Sequence, residues 1–440
     1  MTRFQFVRHS CAALFIGLTA LLSACVGGGG GDDNGNASVR VINATSDLSS
    51  VDVYLGTTNS FPNNTTDTLG SYASVGAGTY DIKITSSGNT TSLLGNTYTF
   101  AKNQHYTAVV WGRSGALSMA TVPEDEDTSL ITSGNSAVRL YNATSNTGSL
   151  DVFLTQAGND DLSNATPTIS AIGSGALSGF RQLQAGDWRL RVTGAGNIND
   201  LRLDIPLTLS AGNFQTLVVT AGNGGVLVNG ALLVQQGAVT QLKNTQSRVR
   251  VLASAEQRAA VAVQMDGSTI STLRSPNVGP YVLVNAGAHV FNVLLDGVSV
   301  SNASQTLAPG SDYTLIGYGS AGAGLSKLFA DDNRLPAAGY YRIRLINGIA
   351  GSDPLSLSVD YAVLVSDIPP GASSVPITAS STATTTTRHI EVQSTSGLAS
   401  IYSADPFLQS VGVYTVVLLG GNVDSTSNLP VPTGVLIKDR

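Results

Sequence analysis

One stretch of this chain is written four times. Val39-Arg40-Val41-Ile42-Asn43-Ala44-Thr45-Ser46 returns as Val138-Arg139-Leu140-Tyr141-Asn142-Ala143-Thr144-Ser145. Shorter copies follow as Val249-Arg250-Val251-Leu252-Ala253-Ser254 and Ile343-Arg344-Leu345-Ile346-Asn347-Gly348. The arginines are 99, 111 and 94 residues apart. That period is too long for one turn of a solenoid and suits one small domain per copy. Other landmarks recur in the same order. A second strand reads Val51–Leu55, Leu150–Leu154, Val261–Met265 and Leu357–Tyr361. A later one reads Ala77–Ile84, Ala185–Val192, Ala286–Val293 and, more weakly, Arg388–Val392. A final core strand reads Tyr106–Val110, Gln215–Val219, Tyr313–Ile316 and Tyr414–Leu418. Apolar and polar residues alternate with period two along all of these, the pattern of half-buried antiparallel strands. Turn residues separate them, as at Gly76-Ala77-Gly78, Asp296-Gly297 and Pro369-Pro370-Gly371. About seven short strands per copy without helical periodicity predict an all-β fold of four tandem immunoglobulin-like antiparallel β-sandwiches.

The sandwiches are expected at 38–133, 134–243, 244–335 and 336–440, with candidate linkers at Pro123–Asn135, Gln236–Gln246 and Asp331–Gly339. The fourth copy carries an insertion, Ser373–Thr387, that ends in four threonines and predicts an exposed loop or edge.

What precedes the repeats fixes an expected location. Arg3 and Arg8 open a segment whose apolar core, Cys11–Leu22, is too short for a membrane span. It ends Leu22-Ser23-Ala24-Cys25, which resembles a bacterial lipobox, so residues 1–24 read as a lipoprotein signal peptide and Cys25 as the lipidated new N-terminus. The glycines Gly27–Gly31 and the polar residues after them cannot bury apolar area to offset ordering, so residues 25–37 predict a flexible tether. Val26 stands where an aspartate would suggest inner-membrane retention; by resemblance to Gram-negative lipoproteins this favours the outer membrane, facing the periplasm or the exterior.

Loss of residues 1–24 removes two arginines and no acid, taking the formal charge from −6 to −8. Nucleic acid and anionic lipid both demand a basic face, so neither is an expected partner. Cys11 leaves with the signal and Cys25 is lipidated, so neither a disulfide framework nor a cysteine metal site is expected.

The landmarks resemble the bacterial domain-of-unknown-function family 4397, whose members open with an Arg-x-x-Asn-Ala-Ser/Thr strand, continue with Val-Asp-Val-Tyr and later show an Ala-Gly-x-Tyr/Trp step. The first two copies match at Arg40, Asn43, Asp52 and Tyr80 and at Arg139, Asn142, Asp151 and Trp188. In the last two, Ala253 replaces the Asn of the third copy, and Ala262 and Ser358 replace the Asp. The resemblance covers nearly all of 38–440 and implies secreted or surface-anchored sandwiches in tandem, without implying an activity.

The residues able to carry chemistry read as structural. His289 and His389 align with Tyr80 and Trp188, a set better explained by a packing corner with one polar bond than by catalysis. His105 reads as a strand-opening residue, and three histidines in three domains do not converge on zinc. No nucleophile elbow is present. Glutamates are few, which disfavours the paired carboxylates of glycoside hydrolysis. Arg40/Asp52 and Arg139/Asp151, each 12 residues apart, could pair across neighbouring strands and pin register. Acidic clusters at Glu124–Asp127, Asp160-Asp161 and Asp331-Asp332 leave linker calcium open, though none has EF-hand spacing.

The expected protein is therefore a lipid-anchored, non-enzymatic envelope module, without catalytic residues, cofactor or metal, formed as a string of sandwiches that binds an envelope protein or glycan as adhesin or scaffold. The alternative is a carbohydrate-binding or calcium-stiffened accessory to an envelope enzyme system. The low aromatic content, 6% and mostly on core strands, disfavours the sugar-binding form. The Thr384–Thr387 edge is a candidate for contact by strand addition.

Overall fold

The computed structural model describes residues 35–66, 68–145, 147–156, 158, 161–222, 224–381, 387–396, 400–423 and 430–440. Cys25, the signal segment, residues 25–34 of the tether and Thr384–Thr386 lie outside the described residues. The first repeat has eight strands: β1 (Asn36–Thr45), β2 (Ser50–Leu55), β3 (Thr58–Thr65), β4 (Ala73–Gly76), β5 (Gly78–Ser86), β6 (Leu94–Phe100), β7 (His105–Arg113) and β8 (Ala116–Pro123). They form two sheets, β4-β1-β7-β8 and β3-β2-β5-β6. Each later repeat builds the same two layers, with its opening sheet extended by a short strand in the second, third and fourth copies. Nearly all pairs are antiparallel, but β1 and β7 run parallel, Arg40 opposite Thr107. The same parallel pair recurs at Arg139/Thr216, Arg250/Thr314 and Arg344/Thr415.

Alternation along β1 sends Val39 and Val41 into the first sandwich core, where they meet Val51, Val53, Ile82 and Ile84. The opposite face is not left to water. Ile42, Ala44, Val109 and Trp111 pack against Tyr141, Ala143, Val218 and Leu233 of the second repeat. The third and fourth repeats do the same through Leu252, Ile316 and Tyr318 against Ile346, Val417 and Leu419. The chain is thus two back-to-back pairs of sandwiches, each four sheets deep, and not a string. The expected half-buried strands are buried on both faces in these inner sheets. Uninterrupted runs such as Ala108-Val109-Val110-Trp111 and Val416-Val417-Leu418-Leu419 are the cause, because a strand with one wet face would alternate.

The pairs also touch. A loop of the second repeat brings the Gly224 amide to the Gly310 carbonyl at 2.9 Å, and the Asn333 amide to the Gly224 carbonyl at 3.1 Å. A side chain at Gly225, whose φ is +101°, would lie 2.5 Å from the Arg334 amide nitrogen, so only glycine permits this approach. The Arg440 guanidinium reaches the Gly225 carbonyl across the same seam.

In the fourth repeat the second strand is Leu355–Val359, two residues earlier than its sequence pattern suggested. Leu355 stands opposite Ser394 as Val51 stands opposite Ser86, and Asp360-Tyr361 form the turn that follows. A two-residue slip keeps every side chain on its face, so alternation cannot detect it.

The segment joining the first two repeats is exposed at Asp127–Leu130. A protease nick there is expected to leave residues 35–126 and 135–242 co-eluting on size exclusion in native buffer and separating only in denaturant. Domains on a simple string would part at once.

Candidate functional site

The repeated arginines are the most chemically distinctive buried groups. Each projects from the first strand of its repeat into the seam between paired sandwiches, and each Nε donates to the threonine opposite on the parallel strand. These are Arg40 to Thr107 at 2.9 Å, Arg139 to Thr216 at 3.0 Å, Arg250 to Thr314 at 2.8 Å and Arg344 to Thr415 at 2.9 Å. At least one further nitrogen of each guanidinium crosses to the partner repeat, while Nη2 of Arg250 and of Arg344 is buried without a hydrogen-bond partner among the described residues. Arg250 reaches Asp439 at 2.5 Å, and Arg344 reaches Asp331 at 2.7 Å. The two contacts are reciprocal, as in an isologous interface. In the first pair Arg40 donates to the Gly237 carbonyl at 2.6 Å and Arg139 to the Pro123 carbonyl at 2.7 Å. The acid of that pair, Glu124, binds Arg40 at 2.8 Å and accepts from the Gln236 amide at 2.7 Å.

The expected Arg40/Asp52 and Arg139/Asp151 pairs do not form, because the two members sit in different sheets of the sandwich. Asp52 instead accepts from the Asn63 amide at 2.7 Å and the Ser87 hydroxyl at 2.7 Å. Asp151 accepts from the amides of Ala171 and Gly196 at 2.7 and 2.8 Å. Both aspartates are loop clamps. Asn43 and Asn142 do similar work: each amide group donates to one loop carbonyl and one strand carbonyl, and each side-chain oxygen accepts from the threonine two residues on.

Tyr80, Trp188 and His289 each donate to the carbonyl four residues earlier, at 2.9, 3.0 and 2.9 Å, which is the polar corner their alignment implied. His389 does not join them. Ile390 is the counterpart of Ile82, opposite Val359 as Ile82 is opposite Leu55, so the corner position belongs to Arg388. His389 lies one residue further on, bonded to Asp405 at 2.8 Å and stacked on Tyr361 at 5.0 Å between centroids. His105 opens β7 and holds Asp125 at 2.8 Å.

The acidic clusters are largely committed to arginines. Burial by itself raises the Asp331 carboxyl, but the Arg344 and Arg250 cations, with the Thr314 and Tyr281 hydroxyls, hold it below the ordinary value. Asp332 is likewise raised by burial and brought well below that range by Arg334 and Arg342. Asp160 lies outside the described residues. Among the described residues, no three His, Cys, Asp or Glu side chains stand together as a metal would need.

Among the described residues, three surface concavities bear on function. A 480 Å³ cleft between the pairs is lined by Arg113, Arg334 and Arg342, the last two both held by Asp332. A 390 Å³ hollow between the second and third repeats includes Trp188 and Asp204. The third, 190 Å³, lies on the outer sheet of the fourth repeat beside Ser356, Ser358, Glu391 and Tyr361. Tyr361 is 79% exposed.

The domain-of-unknown-function family DUF4397 matches residues 37–153 and 247–358. Each match spans a whole first member of a pair and the opening two strands of the second. No curated protein matches the chain. Among solved structures, the Bacillus anthracis TIE protein is similar at 8% identity over 65% of this chain, with a TM-score of 0.14; the chain spans about half, 50%, of that protein's length. Candidate cell-adhesion proteins of Bacteroides uniformis and Bacteroides eggerthii are similar at 8% and 9% identity over 45% and 47% of this chain. Each of those two matches covers 98% of the other protein, with a TM-score of 0.19. Likeness at this level carries no weight for function.

Removing Arg344 takes from the buried Asp331 its ion-pair partner. Arg344→Ala is expected to lower unfolding free energy by about 3–5 kcal/mol in urea titration. The pH dependence follows from the depressed carboxyls. The stabilisation from Asp331 and Asp332 is full above about pH 4 and is lost as pH falls through their lowered folded values. The melting temperature should therefore fall steeply below that pH, and Arg344→Ala should flatten the fall.

Proposed function

The chain belongs to the DUF4397 family, and on that premise we propose that it is a lipid-anchored, non-enzymatic binding or scaffold module of the cell envelope. The observation that carries this is the use made of the polar residues. The repeated arginines, asparagines and aspartates are spent on seams and loop clamps. The inner sheets cover one another, which leaves outer sheet faces and loops as the surface offered to a partner. Among the described residues no helix is long and apolar enough to cross a membrane; attachment in this reading comes from Cys25 through the glycine-rich tether. Ten residues of such a tether span roughly 15–20 Å, which sets the block close to the lipid. A diacylglycerol at Cys25 supplies the two chains that firm anchoring requires. The partner is an envelope glycan or protein.

Cys25→Ala is expected to move the protein from the membrane fraction to the soluble fraction, and mass spectrometry of the wild-type N-terminal peptide should show acyl mass on Cys25. Protease treatment of intact cells then decides orientation. Release of the sandwich block places it outside, and protection until the outer membrane is opened places it in the periplasm. A wild-type chain that is soluble and unacylated overturns the anchored reading.

A further inference from the structure

The turn at Asp360-Tyr361 breaks a rule that its own sister repeat obeys. In the third repeat the corresponding two-residue turn is Asp266-Gly267, with φ of +51° and +83°. This is the Asp-Gly pattern that tight hairpins favour, because the second residue must enter the left-handed region. The fourth repeat has Tyr361 there, at φ +66°. A bulky side chain in that region is strained, and strain persists where something other than stability maintains it. Packing does not repay it, since Tyr361 is 79% exposed.

The ring is nonetheless held. It stacks on His389 at 5.0 Å and 25° between planes, and His389 is fixed by Asp405. Asp360 binds the His389 amide at 2.9 Å and also pairs with Arg388, tying the turn to the strand behind it. Beside the ring the outer sheet is unusually low. Ser358 stands opposite Glu391, and Ser356 opposite Gln393. The first repeat has Tyr54 at the Ser358 position, with Lys83 over its ring, and the second has the buried Phe153. Serine at that place opens the 190 Å³ hollow. Neither Glu391 nor Gln393 has a side-chain partner among the described residues.

Resting on the reading of an envelope binding module, we propose that Tyr361, His389, Glu391 and Gln393 form a saccharide subsite on the fourth repeat. A pyranose has an apolar C–H face and a rim of hydroxyls. The Tyr361 ring offers the complementary flat apolar surface with its strand side fixed. Glu391, Gln393 and the two serines supply acceptors and donors at the rim, the mix of an apolar wall and a few placed polar groups that small-ligand sites use. The carboxylate selects a neutral or N-acetylated sugar over a uronate or sulfated one. A peptide added as a strand is disfavoured, because the hollow lies over Leu355–Val359, whose backbone is already paired on both sides.

The test is calorimetric titration of the full-length chain, in mild detergent, with three probes: a β-1,4-glucan oligosaccharide, a β-1,4-N-acetylglucosamine oligosaccharide and an oligogalacturonate. One of the first two should bind with a Kd on the order of 1 mM, the level expected of a single stacked ring. Tyr361→Gly, which restores the Asp-Gly turn, should weaken binding more than tenfold while keeping or raising the melting temperature. Glu391→Ala should weaken it without moving the melting temperature. Absence of binding by every probe, preference for the galacturonate, or binding untouched by Tyr361→Gly overturns the subsite. These outcomes are independent of anchoring: a soluble, unacylated chain that binds sugar through Tyr361 removes the envelope reading and keeps the subsite.

Discussion

The bond from an arginine Nε to the threonine on the neighbouring parallel strand is the contact on which the rest of the molecule depends. It occurs four times, at 2.8–3.0 Å. A guanidinium in an apolar seam costs several kcal/mol unless its donors are met, so this bond and the carboxylate or carbonyls beyond it are what make the seam tolerable. In return the charge specifies pairing. Only a repeat that brings an acid or free carbonyls to the end of its last strand can cover the arginine of another, and Asp439 and Asp331 do this reciprocally. Apolar contacts between inner sheets supply adhesion, and the arginines supply register.

Much of this was legible in the sequence, and its limits are physical. Strand positions followed from alternation, and the all-β class from strand content and turn residues. Pairing of the sandwiches was not read: runs such as Val416–Leu419 depart from the alternation of a one-faced strand, but a short apolar run does not say what covers it, and the repeats were expected as a string. The partner of each arginine was hidden because the parallel pairing of β1 and β7 joins residues 67 apart. The threonine in second place of all four final core strands, Thr107, Thr216, Thr314 and Thr415, was the available signal. Asp52 and Asp151 misled because distance along the chain does not tell which sheet a residue joins.

The fourth repeat was the hardest to read for one reason. Its second strand shifts by two residues and its later strand by one, and the first shift is invisible to a period-two pattern. Tyr361 therefore read as the end of a core strand and His389 as a corner residue. In the fold they meet on the outer surface, where Tyr361 is an exposed aromatic off the core strands.

The four copies within this chain also separate structure from recognition. Residues facing the paired seam repeat: arginine from the first strand, threonine from the strand parallel to it. Residues at the matching outer-face position do not. Tyr54 faces Lys83, Phe153 faces Arg191, Gln264 faces Asn292, and Ser358 faces Glu391. One is a ring under a cation, one is buried, one is an amide pair and one is a hollow. Four equal sites would give avidity for one repeating ligand, but four different faces cannot. The architecture instead fixes the inner sheets so that each outer face is free to differ. In the proposed binding role, a partner is read by the one face that fits it, on a block whose paired sheets are joined by the buried arginines behind.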